Sequence, residues 1–85
     1  MISLSKEWAL LSKAMYGEKY IDELADFLRN NKVHSVLECG CGNGDVIRGL
    51  AERGFRGVGI DNDKEMILMA KRENPHQNIK YQLMD

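Results

Sequence analysis

The sequence predicts an α/β fold built on a parallel sheet, and three observations carry that reading. Short apolar runs of strand character alternate with amphipathic helical stretches. A glycine-rich turn separates the first such run from the helix that follows it. The second run ends on Asp61, at the strand end where open parallel sheets hold ligands. With 85 residues, 44% hydrophobic and 29% charged, the composition is globular and sufficient for one small domain with a thin core.

The elements follow in order. Leu4, Trp8, Leu11 and Met15 recur at helical spacing, with Ser3 or Ser5 as cap and Gly17 as stop, which predicts a first helix. A second helix is expected over residues 18–30. There Ile21, Leu24, Ala25 and Leu28 form one apolar stripe, acidic residues crowd the early turns and Arg29 sits in the last. After the polar break at 30–32, Ser35-Val36-Leu37-Glu38 reads as a buried strand. The turn Gly40-Cys41-Gly42-Asn43-Gly44 follows, and Val46, Ile47, Leu50 and Ala51 then mark a short helix stopping at Gly54. Gly57-Val58-Gly59-Ile60 is a second strand, ending at Asp61. Asp63 can cap a helix over 64–74, whose last turn carries Lys71 and Arg72 and which Pro75 ends. Ile79, Tyr81 and Leu83 alternate with Lys80 and Gln82 as a third strand. Helix, helix, then β-α-β-α-β argues for parallel strands joined by right-handed crossovers.

Twelve basic and thirteen acidic side chains leave a formal charge of -1, with no basic excess to call for nucleic acid or an anionic membrane. No stretch has the layout of a signal peptide, and the apolar runs, such as residues 66–70, are too short to span a bilayer. The expected location is the cytoplasm. Cys39 and Cys41 stand one residue apart, too close for an ordinary disulfide, and two thiols alone do not complete a zinc site, so no metal is expected.

The strongest signal is Glu38-Cys39-Gly40-Cys41-Gly42-Asn43-Gly44 between a strand and a helix. Glycines let the backbone turn sharply and let a ligand approach without side chains in the way. The helix start beyond them offers unpaired N–H groups. A dinucleotide-type Gly-x-Gly-x-x-Gly fails in both registers, because the third glycine would fall on Asp45 or Ile47. No Lys-Ser/Thr pair follows the turn, which excludes the phosphate loop of the nucleotide hydrolases.

The form Glu-x-Gly-x-Gly-x-Gly, followed by Asp61 at the end of the second strand, resembles the class I S-adenosylmethionine-dependent methyltransferases over roughly residues 33–85. The segment Gly59-Ile60-Asp61-Asn62-Asp63-Lys64-Glu65-Met66-Ile67 is similar to the family's passage from second strand to helix. The resemblance implies a Rossmann-like three-layer fold with strand order 3-2-1, the remaining strands of the family's seven-stranded sheet being absent, and two helices before it. It divides the chain into an N-terminal helical segment, 1–32, and a truncated cofactor-binding half, 33–85.

The same resemblance assigns roles. Gly40, Cys41, Gly42 and Gly44 line the methionine part of S-adenosylmethionine, and Glu38 orients its amino group. Asp61 accepts from the two ribose hydroxyls, one for each carboxylate oxygen, where its alternative role is to cap the next helix. Asp85 reaches the adenine amino group. Asn62 stands where many relatives put an apolar residue against the adenine, and Met66 would supply that surface instead. Tyr16 or Tyr20 would lie near the sulfonium, whose charge a ring face attracts; periodicity alone makes Trp8 and Tyr20 core anchors.

The implied activity is methyl transfer, with a small molecule as acceptor because near-neutral charge argues against nucleic acid. The residues that align an acceptor normally follow later strands, so no catalytic residue is named. The alternatives are a non-catalytic S-adenosylmethionine-binding module and a nucleotide-binding domain of another Rossmann-like family. One edge of the first strand would stand open, an apolar edge that invites a second copy or a missing C-terminal half.

Overall fold

The computed structural model describes residues 2–5, as backbone, and residues 17–84. Among them, strands β1 (Ile2–Ser5), β2 (Ser35–Cys39), β3 (Arg56–Asp61) and β4 (Ile79–Leu83) form one sheet, in the order β1-β2-β3-β4. All neighbours pair in parallel. Helices α1 (Glu18–Asn30), α2 (Asp45–Glu52) and α3 (Lys64–Glu73) connect them. The expected order 3-2-1 is the run β4-β3-β2, and the α/β, Rossmann-like architecture stands.

The chain start departs from expectation. Leu4 was to open a helix capped by Ser3 or Ser5, whereas Ile2–Ser5 is a strand, with Leu4 in register with Glu38 and Ser5 with Cys39. The physical reason is the edge of β2. Its unpaired N–H and C=O groups have more to gain from a parallel strand than a few residues at a helix start can offer one another. The edge expected to stand open is therefore covered by β1. Trp8, Leu11, Met15 and Tyr16 lie outside the described residues, as does Asp85.

The core sits between the sheet and its helices. Ile21, Ala25 and Leu28 are the buried stripe of α1, and Val46, Ile47 and Leu50 that of α2. Val36 projects from β2 toward Ile47, while Ile67 and Ala70 seal α3 onto the same cluster. Each fully buried Ile or Leu contributes about 1.5–3 kcal/mol. Gly49 brings α1 and α2 together: a Cβ there would stand 2.7 Å from Ile21 Cδ1. Across this seam Arg53 donates to Asp22 at 2.8 Å and to Glu18 at 3.1 Å, and the Asp22 bond leads the interactions that raise its pKa. Arg29 donates to Arg53 O at 2.7 Å. With Ile21 beside Gly49 and Arg29 beside Arg53, α1 and α2 pack side by side.

Caps match the sequence. Asp63 Oδ1 accepts from the Glu65 amide at 2.9 Å, and α3 stops at Glu73, just before Asn74-Pro75. The alternation of β2 and β3 leaves Leu37, Val58 and Ile60 half-buried on the face opposite Val36 and Gly57.

Candidate functional site

The site is built where β2 and β3 end. Cys39 is paired with Ile60, so the turn leaving β2 passes directly beside Asp61. The Cys41 amide donates to Ile60 O at 2.8 Å, which holds the turn against the end of β3. Gly40, Gly42 and Gly44 have φ of +71°, +56° and +87°, all left-handed. L side chains rarely adopt such angles, so at Gly42 and Gly44 the backbone itself demands glycine.

These two positions differ in what surrounds them. A Cβ on Gly42 would meet nothing within 4 Å among the described residues. A Cβ on Gly44 would run into the hydroxyl and ring of Tyr81. The turn is thus packed from behind at its helix end and open in its middle.

Asp61 ties the turn to β3. It is 4% exposed, and its two oxygens take different partners. Oδ2 accepts from the Gly42 amide at 3.0 Å, and Oδ1 accepts from the Asp63 amide at 2.9 Å. Asp63, not Asp61, caps α3. A carboxylate offers about four lone-pair directions, a number that suits hydroxyl donors as well as backbone amides.

Glu38 is 2% exposed and lies one residue before the end of β2, on the side facing the helices. Cys41 is buried too, its Sγ 3.7 Å from Gly42 O and its side chain where a Cβ on Gly59 would touch it. The Cys41 thiol therefore belongs to the core, and only its backbone shares the turn. Tyr20 packs half-buried against the core from the first turn of α1. Asn62 is exposed, and Met66 is half-buried one helical turn on. The structure thus brings Asp61 together with Gly42 and sets Asn62 beside them. Cys39 and Cys41 are not in a disulfide, and no group of three or more His, Cys, Asp or Glu among the described residues could hold a metal.

Two supporting residues carry no signal in the sequence. Tyr81 reads there only as the inward member of an alternating strand, and Asn74 only as a helix end. In the structure the Tyr81 hydroxyl donates to Asn74 O at 2.7 Å, and the ring backs Gly44. Burial pushes the Tyr81 phenol well above the ordinary tyrosine range, and nearby Cys41 and Glu38 add to it. Tertiary packing brings these residues to the turn, so spacing along the chain could not reveal them. A depression of about 340 Å³ lined by Ser35, Arg56, Gln77 and Asn78 lies at the opposite, amino ends of the strands, away from this chemistry.

Residues 36–85 match the family model described as a methyltransferase domain. The chain belongs to this family. It is 32% identical, over 62 residues, to an uncharacterized methyltransferase from Alkaliphilus oremlandii, an alignment that takes in 73% of this chain and 29% of the relative. Among solved structures it is similar to a SAM-dependent methyltransferase from Anabaena variabilis, with 35% identity, a TM-score of 0.55, and coverage of 58% of this chain and 20% of that one. It is also similar to the plantazolicin methyltransferase BamL, solved with a triazolic desmethylPZN analog and SAH, with 26% identity, a TM-score of 0.61, and coverage of 80% and 26%. The chain spans less than a third of the length of each of these methyltransferases.

Proposed function

We propose that this chain supplies the S-adenosylmethionine-binding part of an enzyme that transfers a methyl group to a small molecule. The observation that carries the reading is the 3.0 Å bond between the Gly42 amide and Asp61 Oδ2. One ligand can touch both the open bend and the carboxylate, and the family match makes S-adenosylmethionine that ligand.

The residues fit the group. Among the described residues no side chain fills the space in front of Gly42, and the carboxylate beside it is buried and held by two backbone donors. When bound, S-adenosylmethionine supplies a methyl group already activated by its sulfonium. The work left to this chain is grip and alignment. Asp61 accepts from the ribose hydroxyls, each bond strengthened by charge. The turn Gly40-Cys41-Gly42 contributes backbone to the methionine tail, and Glu38 orients the amino group. Asn62 and Met66 flank the adenine, and Asp85 accepts from its amino group. Tyr16 or Tyr20 stands toward the sulfonium, whose charge a ring face attracts. The unit that performs this binding is residues 33–85, served by the segment 1–32.

A small-molecule acceptor accords with the formal charge of -1 and with the triazolic desmethylPZN analog in the BamL complex. A cysteine pair that the sequence spacing does not commit to an ordinary disulfide accords with a reducing compartment such as the cytoplasm. Calorimetric titration with S-adenosylhomocysteine and, separately, with NAD tests the reading. Binding of the first and not the second is expected; the reverse, or no binding of either, removes it.

A further inference from the structure

The glycine turn is gripped from a second side, by the junction between α3 and β4. Asn74 closes α3, its amide donating to Ala70 O. Its Nδ2 makes two bonds, to Asn43 O at 2.7 Å and to Asp45 Oδ1 at 3.1 Å. Both acceptors lie where the turn becomes α2. The carbonyl of the same residue accepts from Tyr81, whose ring backs Gly44. Arg48 of α2 reaches back to Pro75 O at 2.6 Å, and Asn43 Oδ1 accepts from the Asp45 amide at 3.2 Å. Asp45 thus lies against the Asn74 side chain, and Arg48 against the carbonyl of the residue that follows it.

We infer that Asn74 is a positioning residue for the cofactor turn, pre-ordering Gly42 and Gly44 before S-adenosylmethionine arrives. This rests on the cofactor reading above. Glycine has more conformational freedom to lose than any other residue, so a turn with glycines at 40, 42 and 44 is costly to order. Whatever is ordered in advance is not charged against binding. A side-chain amide suits the task, because one nitrogen carries two donors and serves a carbonyl and a carboxylate together. Aspartate in its place would offer no donor and would face Asp45 with a like charge.

The test compares wild type, Asn74→Ala, Asn74→Asp, Asn74→Asp with Asp45→Asn, and Tyr81→Phe. Each is titrated with S-adenosylhomocysteine, melted without ligand, and followed through the NMR amide signals of Gly42 and Gly44. Asn74→Ala is expected to bind about tenfold more weakly at a temperature where it is fully folded, with both glycine signals broadened or shifted. Asn74→Asp should lose more, and Asp45→Asn in that background should recover part of the loss by restoring a donor across the 3.1 Å contact. Tyr81→Phe, which keeps the ring, covers the case in which Asn74→Ala does not fold, and should lose about two- to threefold. Wild-type affinity and unchanged glycine signals in the folded variants overturn the inference while the cofactor reading stands. Failure of wild type itself to bind overturns both.

Discussion

The amide of Gly42 donates to Asp61 Oδ2 at 3.0 Å across nineteen residues of chain, and this bond joins the two halves of the site. It also makes Asp61 a structural residue, since the other oxygen holds the Asp63 amide. Asp61→Ala should therefore act twice. It leaves two backbone donors without their acceptor, at a cost of about 1–3 kcal/mol in urea denaturation. It also removes the charged acceptor for the ribose, so affinity for S-adenosylhomocysteine should fall by about a hundredfold in the folded protein. Loss of stability with affinity intact would confine Asp61 to the structural role.

Gly42 and Gly44 should respond differently to the same added methyl. At Gly44 the new Cβ meets both a left-handed φ of +87° and the Tyr81 side chain. Gly44→Ala should lose about 2–4 kcal/mol of stability, combining backbone strain with overpacking. At Gly42 the Cβ meets nothing among the described residues, so Gly42→Ala should lose only about 1–2 kcal/mol through its φ of +56°. Its larger effect should be on the ligand, because the methyl occupies the space that the methionine tail would use. Denaturation and titration of the two variants side by side read both quantities.

Much of this arrangement was legible in the sequence because it depends on local chemistry. The stripe of Ile21, Ala25 and Leu28, the cap at Asp63 and the alternation around Tyr81 each follow from short-range pattern, and each stands in the structure. The pairing of a glycine turn with an acidic strand end was legible for a different reason. In a parallel sheet, neighbouring strands end together, and Cys39 beside Ile60 is the outcome. Ile2–Ser5 was not legible. Its apolar residues suit a helix or a strand equally over four positions, and the free edge of β2 decides between them. Asn74 escaped notice because its partners Asn43 and Asp45 lie 31 and 29 residues away.

Tyr81 gives the fold a dependence on alkaline pH. Burial holds its phenol neutral in the folded chain beyond the pH at which a free tyrosine ionises, about 10. The folded pKa is raised above the unfolded one, so the stabilising contribution is complete below about pH 10 and is lost as pH climbs above it. In that window the unfolded chain sheds a proton that the folded chain keeps, and stability falls by up to about 1.4 kcal/mol per pH unit. Tyr81→Phe should be less stable near neutrality, having lost the bond to Asn74, yet should show a shallower alkaline decline. Denaturation at pH 8, 10 and 11 compares the slopes, and equal slopes would mean that Tyr81 titrates freely in the fold.

The strand Ile2–Ser5 lies on the edge of β2, the one adjoining the glycine turn, in a register that runs from Val36 to Cys39. Deleting residues 2–5 would return a row of backbone donors and acceptors to solvent along β2, next to its half-buried Leu37. Exposed edges of this kind are templates for pairing with another strand. The shortened protein should therefore associate in a concentration-dependent way, read by sedimentation velocity across a hundredfold range of concentration, while the parent chain changes less. Added S-adenosylhomocysteine should leave that association in place, because the new contact forms along the strand rather than at its end. If the shortened protein stays monomeric and melts as the parent does, β1 contributes nothing to closing the sheet, and the edge of β2 is protected by other means.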